Sequence, residues 1–149
     1  MKNSGFTLLE VIIAISIAVI LASVVGVNVL GLPQKHKRSA ARMQIEAFKT
    51  ALQMYQDDNG FFPTARQGLG ALVSPPQTPP VPSAFREGGY LETLSLPADP
   101  WGRPYAYIVP GPGGKPFDIV CYGADGEEGG EDLDADISAW IQARGADKP

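Results

Sequence analysis

An unbroken apolar run near the N-terminus constrains this chain more than any other feature. No charged residue occurs from Val11 to Leu32, and Glu10 is a single carboxylate at the start of the run. About 20 apolar residues are enough to cross a bilayer as a helix. A charge at the centre of a membrane helix costs roughly 2.5–3.5 kcal/mol, and less near an end, so such charges usually serve a function. The run predicts a transmembrane helix over residues 6–32 with a functional carboxylate near its start.

The residues ahead of the run form a motif. Met1–Gly5 is short, carries one basic side chain and ends in glycine, and Phe6 and Glu10 follow it. This stretch resembles the N-terminus of type IV pilins and type II secretion pseudopilins, where a short basic leader ends in Gly, Phe opens the mature protein and Glu is its fifth residue. The resemblance implies that residues 1–5 are a leader, cut after Gly5 by a prepilin peptidase, and that the amine of Phe6 is methylated.

Two other interpretations of the N-terminus stay open from the residues alone. A secretory signal peptide has an apolar core of about 7–15 residues followed by a small-residue cleavage site, and Ala22-Ser23 could serve as that site. The apolar run continues well past it, however, and Glu10 would lie inside the core. A plain signal anchor is the second alternative.

The charges beside the run and the resemblance give opposite orientations. Four basic residues follow the run, namely Lys35, Lys37, Arg38 and Arg42, while Lys2 precedes it. Because basic residues favour the cytoplasmic side, this count places the C-terminal part inside. The resemblance implies a single-pass inner-membrane protein with its head in the periplasm. We adopt the second orientation, since the cleavage motif is more specific than a count of charges.

The rest of the chain is long enough for one small globular head. About ninety of the 149 residues lie beyond the long helix, which allows a single core of marginal size. After Asp58, six Lys or Arg residues face twelve Asp or Glu residues, and this negative balance argues against a nucleic-acid-binding head. Cys121 is the only cysteine, which excludes an intramolecular disulfide. Its apolar surroundings predict a buried small hydrophobe.

The long helix is predicted to continue beyond the membrane as an amphipathic half. Apolar residues recur there at alternating spacings of four and three, as on one buried helical face: Ala41, Ile45, Phe48, Leu52 and Tyr55. Asp57–Gly60 then provides a C-terminal cap. Because Pro33 removes one helical hydrogen bond, we expect a kink or local melting over residues 29–33. Related pseudopilins commonly carry a proline where this chain has Val27.

Shorter patterns predict the elements of the head. Thr64 is expected to cap a short helix that turns Leu69, Leu72 and Val73 inward. The segment Ser74–Pro82 is rich in proline and predicts a surface loop.

The second half of the head is predicted to contain a β-hairpin. The apolar runs 105–109 and 117–122 are joined by a Pro- and Gly-rich segment, as in an antiparallel pair. Asp99–Gly102 reads Asp-Pro-Trp-Gly, which predicts a turn that lays the Trp101 ring on the core. The expected fold class is α+β, with a long N-terminal helix packed on a small head that holds a short helix and a small antiparallel sheet. The Asp-Pro-Trp-Gly turn and the Phe-Pro-Thr that ends at Thr64 resemble the major, G-type pseudopilins.

An acid-rich stretch near the C-terminus predicts a cation site. From Asp118 to Asp136 there are eight acidic residues, no basic one and several glycines. Ca²⁺ takes about 6–8 oxygens in flexible geometry, whereas Mg²⁺ demands tighter geometry and keeps its waters. An EF-hand is excluded because Ile137 stands where that loop needs glycine. From composition alone, a solvated acidic loop without an ion is an equal alternative.

Two short motifs in this stretch resemble the calcium loop of the major pseudopilins. One is Gly-Ala-Asp-Gly, which ends at Gly126, and the other is the Asp-x-Asp-Ile motif before Trp140. The resemblance implies that Asp125 and Asp136 bind Ca²⁺ through their side chains, with Asp134 next. It implies carbonyl ligands at Tyr122, Ala124 and Glu127, and it leaves Glu131 and Asp132 open. Ser138-Ala139 departs from the Gly-Asn often found before the tryptophan.

The resemblance implies a structural subunit and no enzyme. Such a protein polymerises into a periplasmic fibre that promotes export of folded proteins. Its expected partners are copies of itself, minor pseudopilins, prepilin peptidase, the inner-membrane assembly platform and the membrane. A carboxylate at Glu10 would pair with the Phe6 amine of a neighbouring subunit, because two buried charges then compensate each other. No catalytic site is predicted, since the only histidine, His36, lies in a basic stretch and no nucleophile has an evident partner.

Three alternatives remain at this point. A type IV pilin usually closes its C-terminal region with a cysteine pair, which this chain lacks, and a minor pseudopilin should lack the acid-rich calcium loop. A membrane-anchored calcium-binding domain that forms no fibre is the third.

Overall fold

The chain folds into one long helix and a small head with a three-stranded sheet. A computed structural model describes residues 8–140, and the side chains of these residues except 18–32. Two compact units are distinguished, the first ending at Lys35 and the second beginning at His36. The elements are α1 (Leu8–Asn59), β1 (Ala106–Ile108), β2 (Asp118–Cys121) and β3 (Ile137–Ser138), with 3₁₀ turns at Leu69–Leu72 and Pro112–Gly114. The predicted α+β class is confirmed.

The second half of α1 buries the predicted apolar stripe. All of its members are at most 2% exposed: Ala41, Ile45, Phe48, Leu52 and Tyr55. Burying a large apolar side chain contributes roughly 1.5–3 kcal/mol, so this stripe is a main source of stability for the head. The helix ends at Asn59, and Gly60 follows with φ +82° and donates its N–H to the Gln56 carbonyl at 2.6 Å. The predicted cap is confirmed.

The first half of α1 differs from one expectation. The helix continues through Pro33, so the predicted local melting over 29–33 is wrong, while the alternative of a kink there stays a prediction. A proline removes only one helical N–H donor, and the hydrogen bonds of the neighbouring turns can keep the segment helical. In the described part of the chain, no helix is both long and apolar enough to cross a membrane. The leader 1–5 and Phe6 lie outside the described residues.

The sheet forms around the predicted hairpin. β1 pairs with β2 in antiparallel register, with Ala106 opposite Val120 and Ile108 opposite Asp118. β3 adds to the other edge of β2, also antiparallel, with Ile137 opposite Cys121. The sequence did not indicate β3, because two residues are too few for a period-2 pattern.

One face of the sheet packs against the buried stripe of α1. Phe48 and Tyr105 meet edge to face with ring centroids 5.1 Å apart, and Tyr55 and Tyr90 are 5.2 Å apart. Trp101 is partly buried against the same cluster, as the turn predicted. Aromatic contacts of this kind contribute about 0.5–1.5 kcal/mol beyond area burial.

The short helix after α1 is smaller than predicted. Thr64 organises a turn, in which its Oγ1 accepts the N–H of Gln67 at 3.3 Å. The 3₁₀ turn begins only after Gly68, whose φ of +61° ends the earlier turn. Leu69 and Leu72 are buried as predicted, while Val73 is only partly buried.

Cys121 lies at the end of β2 and is 1% exposed. Burial raises the pKa of its thiol to about 12, with a further contribution from the nearby Asp99 carboxylate. The prediction of a buried small hydrophobe is confirmed.

Replacing Phe48 by alanine should destabilise the head by about 3–5 kcal/mol, because a fully buried ring would leave a cavity. Urea unfolding of the full chain in detergent, followed by tryptophan fluorescence, measures the change. Met43→Ala on the same helix is the matched control, since Met43 is 66% exposed and should shift stability by no more than about 0.5 kcal/mol. Equal losses for the two variants would contradict the packing described.

Alkylation of Cys121 by iodoacetamide should be slow in the folded chain at pH 8 and fast in urea, because only the exposed thiolate reacts. The raised pKa means that the folded state holds the thiol proton more tightly than the unfolded state. Stability should therefore fall as the pH rises from about 9 to about 12. Mass spectrometry of the labelled protein measures the rate, and fast labelling without denaturant would contradict the burial.

Candidate cation site and its arginine contacts

The predicted cation ligands lie in one loop, Tyr122–Asp136, which we call the acidic loop. It leaves the sheet at the end of β2 and returns at the start of β3, where Cys121 and Ile137 are paired. Both ends of the loop are therefore held where β2 and β3 are paired. The conformation of the residues between these two ends is not set by strand pairing.

Backbone hydrogen bonds fold the acidic loop on itself. The N–H of Gly126 donates to the Tyr122 carbonyl at 2.8 Å, and that of Asp136 donates to the Gly129 carbonyl at 3.1 Å. The N–H of Ala124 reaches across to the Leu133 carbonyl at 3.3 Å. These bonds bring the two short motifs of the predicted calcium site to opposite sides of one small loop.

Two glycines make this close approach possible. Gly123 and Gly130 have φ values of +50° and +76°. A Cβ at Gly123 would lie 2.0 Å from the Asp134 carbonyl oxygen, and one at Gly130 would lie 2.7 Å from the same atom. Any other residue at these positions would push the Asp134 backbone away.

Arg38 fixes the second half of the loop from α1. Its Nη1 donates to the carbonyl of Leu133 at 3.0 Å and to that of Ala135 at 2.5 Å. The side chain is 8% exposed, and burial lowers its pKa. Arginine nevertheless stays protonated near neutral pH, so a positive charge lies beside this acidic segment. The nearby Asp134 and Asp136 favour that charge.

Arg103 holds the first half of the loop. It donates to the Gly123 carbonyl, and its guanidinium packs so closely on Gly126 that a Cβ there would lie 1.8 Å from Nη1. Its Nε lies 3.4 Å from Asp99 Oδ2, within ion-pair distance, though it is not aligned for a hydrogen bond. Asp99 is itself fixed, because its Oδ1 accepts the N–H groups of Trp101 and Arg103.

The three predicted carboxylate ligands have different surroundings. Asp125 is exposed, and its Oδ1 accepts the N–H of Glu127 at 3.2 Å. Asp134 is also exposed. Asp136 is partly buried: its Oδ2 accepts the N–H of Gly129 at 3.0 Å, while its Oδ1 is buried without a hydrogen-bond partner among residues 8–140.

These carboxylates share a loop but do not converge. In the part of the chain that the structure describes, no three His, Cys, Asp or Glu side chains form a group that could hold a metal ion. Of the predicted carbonyl ligands, that of Tyr122 accepts one hydrogen bond and keeps a second lone pair. The buried Oδ1 of Asp136 is the feature that fits a cation, because an unsatisfied buried carboxylate oxygen is costly.

Sequence reasoning missed the residues that shape the loop from outside, Arg38, Arg103 and Asp118. Arg38 lies three positions before Ala41, in line with the apolar stripe, and this spacing could have revealed a buried charge. Asp118 is 2% exposed and accepts hydrogen bonds from the Ser138 hydroxyl and the Ala139 N–H at 2.8 and 3.1 Å. An acidic residue inside an apolar strand was its only signal.

Glu10 lies in the first turn of α1 and is exposed in the single chain. Gly5 and Phe6, the predicted cleavage and methylation sites, precede the described residues.

Models of two known protein families match the chain. The prokaryotic N-terminal methylation motif matches residues 1–26, and type II secretion system protein G matches residues 28–140. Together they extend over almost the whole of the predicted membrane helix and head.

Curated relatives agree with these matches. The type II secretion system core protein G of Pseudomonas aeruginosa is 46% identical over 139 residues, which cover 93% of this chain and 96% of that protein. The core protein G of Vibrio cholerae is 49% identical over 139 residues, covering 93% and 92%.

A solved structure agrees as well. The major pseudopilin from the type 2 secretion system of enterohaemorrhagic Escherichia coli is similar with a TM-score of 0.63 and 38% identity, over 76% of this chain and 94% of that chain. These matches favour the G-type pseudopilin resemblance over a type IV pilin or an isolated calcium-binding domain. The chain belongs to the protein G family of the type II secretion system.

Proposed function

We propose that this chain is the major subunit of a type II secretion pseudopilus, which polymerises into a periplasmic fibre and promotes export of folded proteins across the outer membrane. Prepilin peptidase removes residues 1–5, Phe6 is methylated, and the helix 6–32 holds the subunit in the inner membrane with its head in the periplasm. The partners are copies of itself, minor pseudopilins and the inner-membrane assembly platform. The role is structural and includes no catalytic step.

One observation carries this proposal: the two family matches follow one another along the chain. The methylation motif over 1–26 supports processing at the N-terminus, and protein G over 28–140 supports a place in the secretion system. The similar structure from Escherichia coli is described as a major pseudopilin, which supports the major rather than a minor role.

In this proposal Glu10 makes the contact that drives assembly. Among packed apolar helices its carboxylate would lose water, and a charge without a partner there is costly. Pairing with the Phe6 amine of a neighbouring subunit compensates both charges at once. The position of Glu10 in the first turn of α1, close in sequence to Phe6, supports such a contact between staggered copies.

We propose further that the acidic loop binds Ca²⁺ through the side chains of Asp125, Asp134 and Asp136. The additional ligands are the carbonyls of Tyr122, Ala124 and Glu127. Ca²⁺ takes about 6–8 oxygens, and no three carboxylates converge in the described part of the loop. Backbone carbonyls would therefore supply the larger share of the ligands.

The buried Oδ1 of Asp136 supports the calcium proposal, because it has no hydrogen-bond partner in the described part of the chain and a cation would satisfy it. The ion would also reduce repulsion among the clustered carboxylates. It would stabilise a head that has a single cysteine and hence no internal disulfide.

Replacing Glu10 by alanine or glutamine should leave the chain cleaved and inserted but reduce fibre yield at least tenfold. Each subunit contact would then leave a buried amine unpaired, at a cost of about 3–5 kcal/mol. Electron microscopy of sheared fibres measures the yield, and N-terminal sequencing checks cleavage.

Ser16→Ala is the matched control for the Glu10 variants, because Ser16 is polar and, among the described residues, donates to the Ile12 carbonyl of its own helix at 2.8 Å. It should assemble normally. Fibre yields from the Glu10 variants that equal the wild-type yield would refute the assembly role.

A calcium chelator should lower the melting temperature of the full chain in detergent. At a free calcium concentration of about 100 Kd, binding contributes about 2.7 kcal/mol. Since ~1 kcal/mol shifts the melting temperature of such a small domain by ~4–8 °C, the expected drop is roughly 10–20 °C. Differential scanning fluorimetry measures it.

Asp125→Ala should melt at the lower temperature with or without chelator. Glu87→Gln removes an exposed carboxylate outside the acidic loop and should respond to chelation as the wild-type chain does. A wild-type melting curve that chelation leaves unchanged would rule out the calcium proposal.

A further inference from the structure

A groove on the α1 side of the head has the character of a docking site. Its volume is ≈ 310 Å³, and its walls include Lys49 and Gln53 of α1 and the rings of Phe62, Phe117 and Trp140. We call it the Trp140 groove. It is open to solvent and distinct from the acidic loop. Phe62 and Trp140 are partly exposed, whereas Phe117 is buried. Partly exposed aromatic rings in an open groove are typical of surfaces that bind a partner.

Two lysines place positive charge over the floor of the groove. Lys49 Nζ lies 4.6 Å and Lys115 Nζ 4.8 Å from the centre of the Trp140 ring. Lys49 also contacts Glu46 at 3.2 Å, in a pair whose glutamate side chain is 64% exposed. Within residues 8–140, Lys115 forms no ion pair. Glu46 also lines the groove and offsets the charge of Lys49, so the excess positive charge at the groove comes from Lys115. The groove therefore suits a segment that brings carboxylates.

The same chain carries such a segment. Glu127–Asp132 holds four acidic residues around Gly129-Gly130. All four are exposed, and none forms an ion pair with another described residue. The two central glycines have no side chains, so the segment has little bulk at its centre. The charges of the two parts of the molecule are thus of opposite sign.

The two surfaces lie on opposite faces of the sheet. Phe117 and Ile119 belong to the core on the α1 side, and Phe117 also lines the Trp140 groove. Asp118 and Val120, which alternate with them, face a second cavity that Glu128 lines from the acidic loop. Glu128 therefore lies on the face of the sheet opposite the groove of its own chain. A contact between two different surfaces of identical chains is heterologous, and repeating it builds an open filament.

We propose that, in the fibre, the segment Glu127–Asp132 of one copy docks in the Trp140 groove of the next copy, with Lys49 and Lys115 facing its carboxylates. This inference rests on the proposed function, because it requires that the chain polymerise. A single exposed ion pair is weak, and at physiological ionic strength exposed charges more than about 8 Å apart are largely screened from each other. The contact therefore sets which surfaces meet, and the membrane helices provide the main association.

Cysteine crosslinking between differently marked copies tests the contact. Full-length Lys115→Cys and Glu128→Cys chains, one carrying an epitope tag, are produced in the same cells under conditions that give fibres, and a short bifunctional maleimide is added. The native Cys121 does not compete, because it is 1% exposed. Glu128 is not among the proposed calcium ligands, so the marker leaves that site intact.

The expected result is a mixed dimer at least about tenfold more abundant than in the control, because neighbours in a fibre hold the two thiols at a high effective concentration. The control pairs Arg66→Cys with Glu128→Cys, since Arg66 is exposed and is not one of the residues that line the groove. Equal dimer yields from the two pairs would overturn the inference. A crosslink to a different protein at position 115 would overturn it as well.

Charge reversal gives an independent result. Lys115→Glu should reduce fibre yield several-fold, and adding Glu128→Lys should restore it, while Arg66→Glu should have no effect. Normal fibres from Lys115→Glu, together with control-level crosslinking, would show that the subunits polymerise through other surfaces. Wild-type chains that form no fibre would instead refute the proposed function itself.

Discussion

The packing of the sheet against the apolar stripe of α1 is the interaction on which the rest of the head depends. Ala41, Ile45 and Phe48 are buried by residues that lie far along the chain, such as Tyr105 and Ile119. The helix alone would expose this stripe, and strands of three and four residues could not persist without a surface to cover. Each element therefore stabilises the other, and a head of this size has no second core to replace that contact.

The acidic loop depends on the same packing through its two arginines. Arg38 belongs to α1, whereas Arg103 follows the Asp99 turn, so the loop is held from two separate parts of the core. Both donate to backbone carbonyls, which leaves the carboxylates of Asp125 and Asp136 available for other partners. The arginines shape the loop without neutralising its side chains, and this explains how a loop so rich in acid can be ordered yet still suit a cation.

Local patterns in the sequence predicted the stripe, the helix end, the Asp99 turn and the hairpin, because each depends on neighbours in the chain. The features that these patterns could not predict depend on contacts between residues far apart in the sequence. Arg38 and Leu133 are 95 positions apart, and only the folded head brings them together. β3 is two residues long and exists because β2 offers an edge. The ligand residues were assigned by family resemblance, and the geometry supports Asp136 most directly, through its buried Oδ1.

Asp118 shows how one such distant contact connects the two surfaces of the head. It is buried in β2, and its carboxylate accepts hydrogen bonds from Ser138 and Ala139, which fixes β3 beyond what two residues of pairing could do. Asp136 lies two residues before Ser138, and Trp140 lies two after it. The Trp140 indole donates in turn to the Phe117 carbonyl, next to Asp118. One satisfied buried carboxylate thereby positions both Asp136, a proposed cation ligand, and the aromatic Trp140 of the groove.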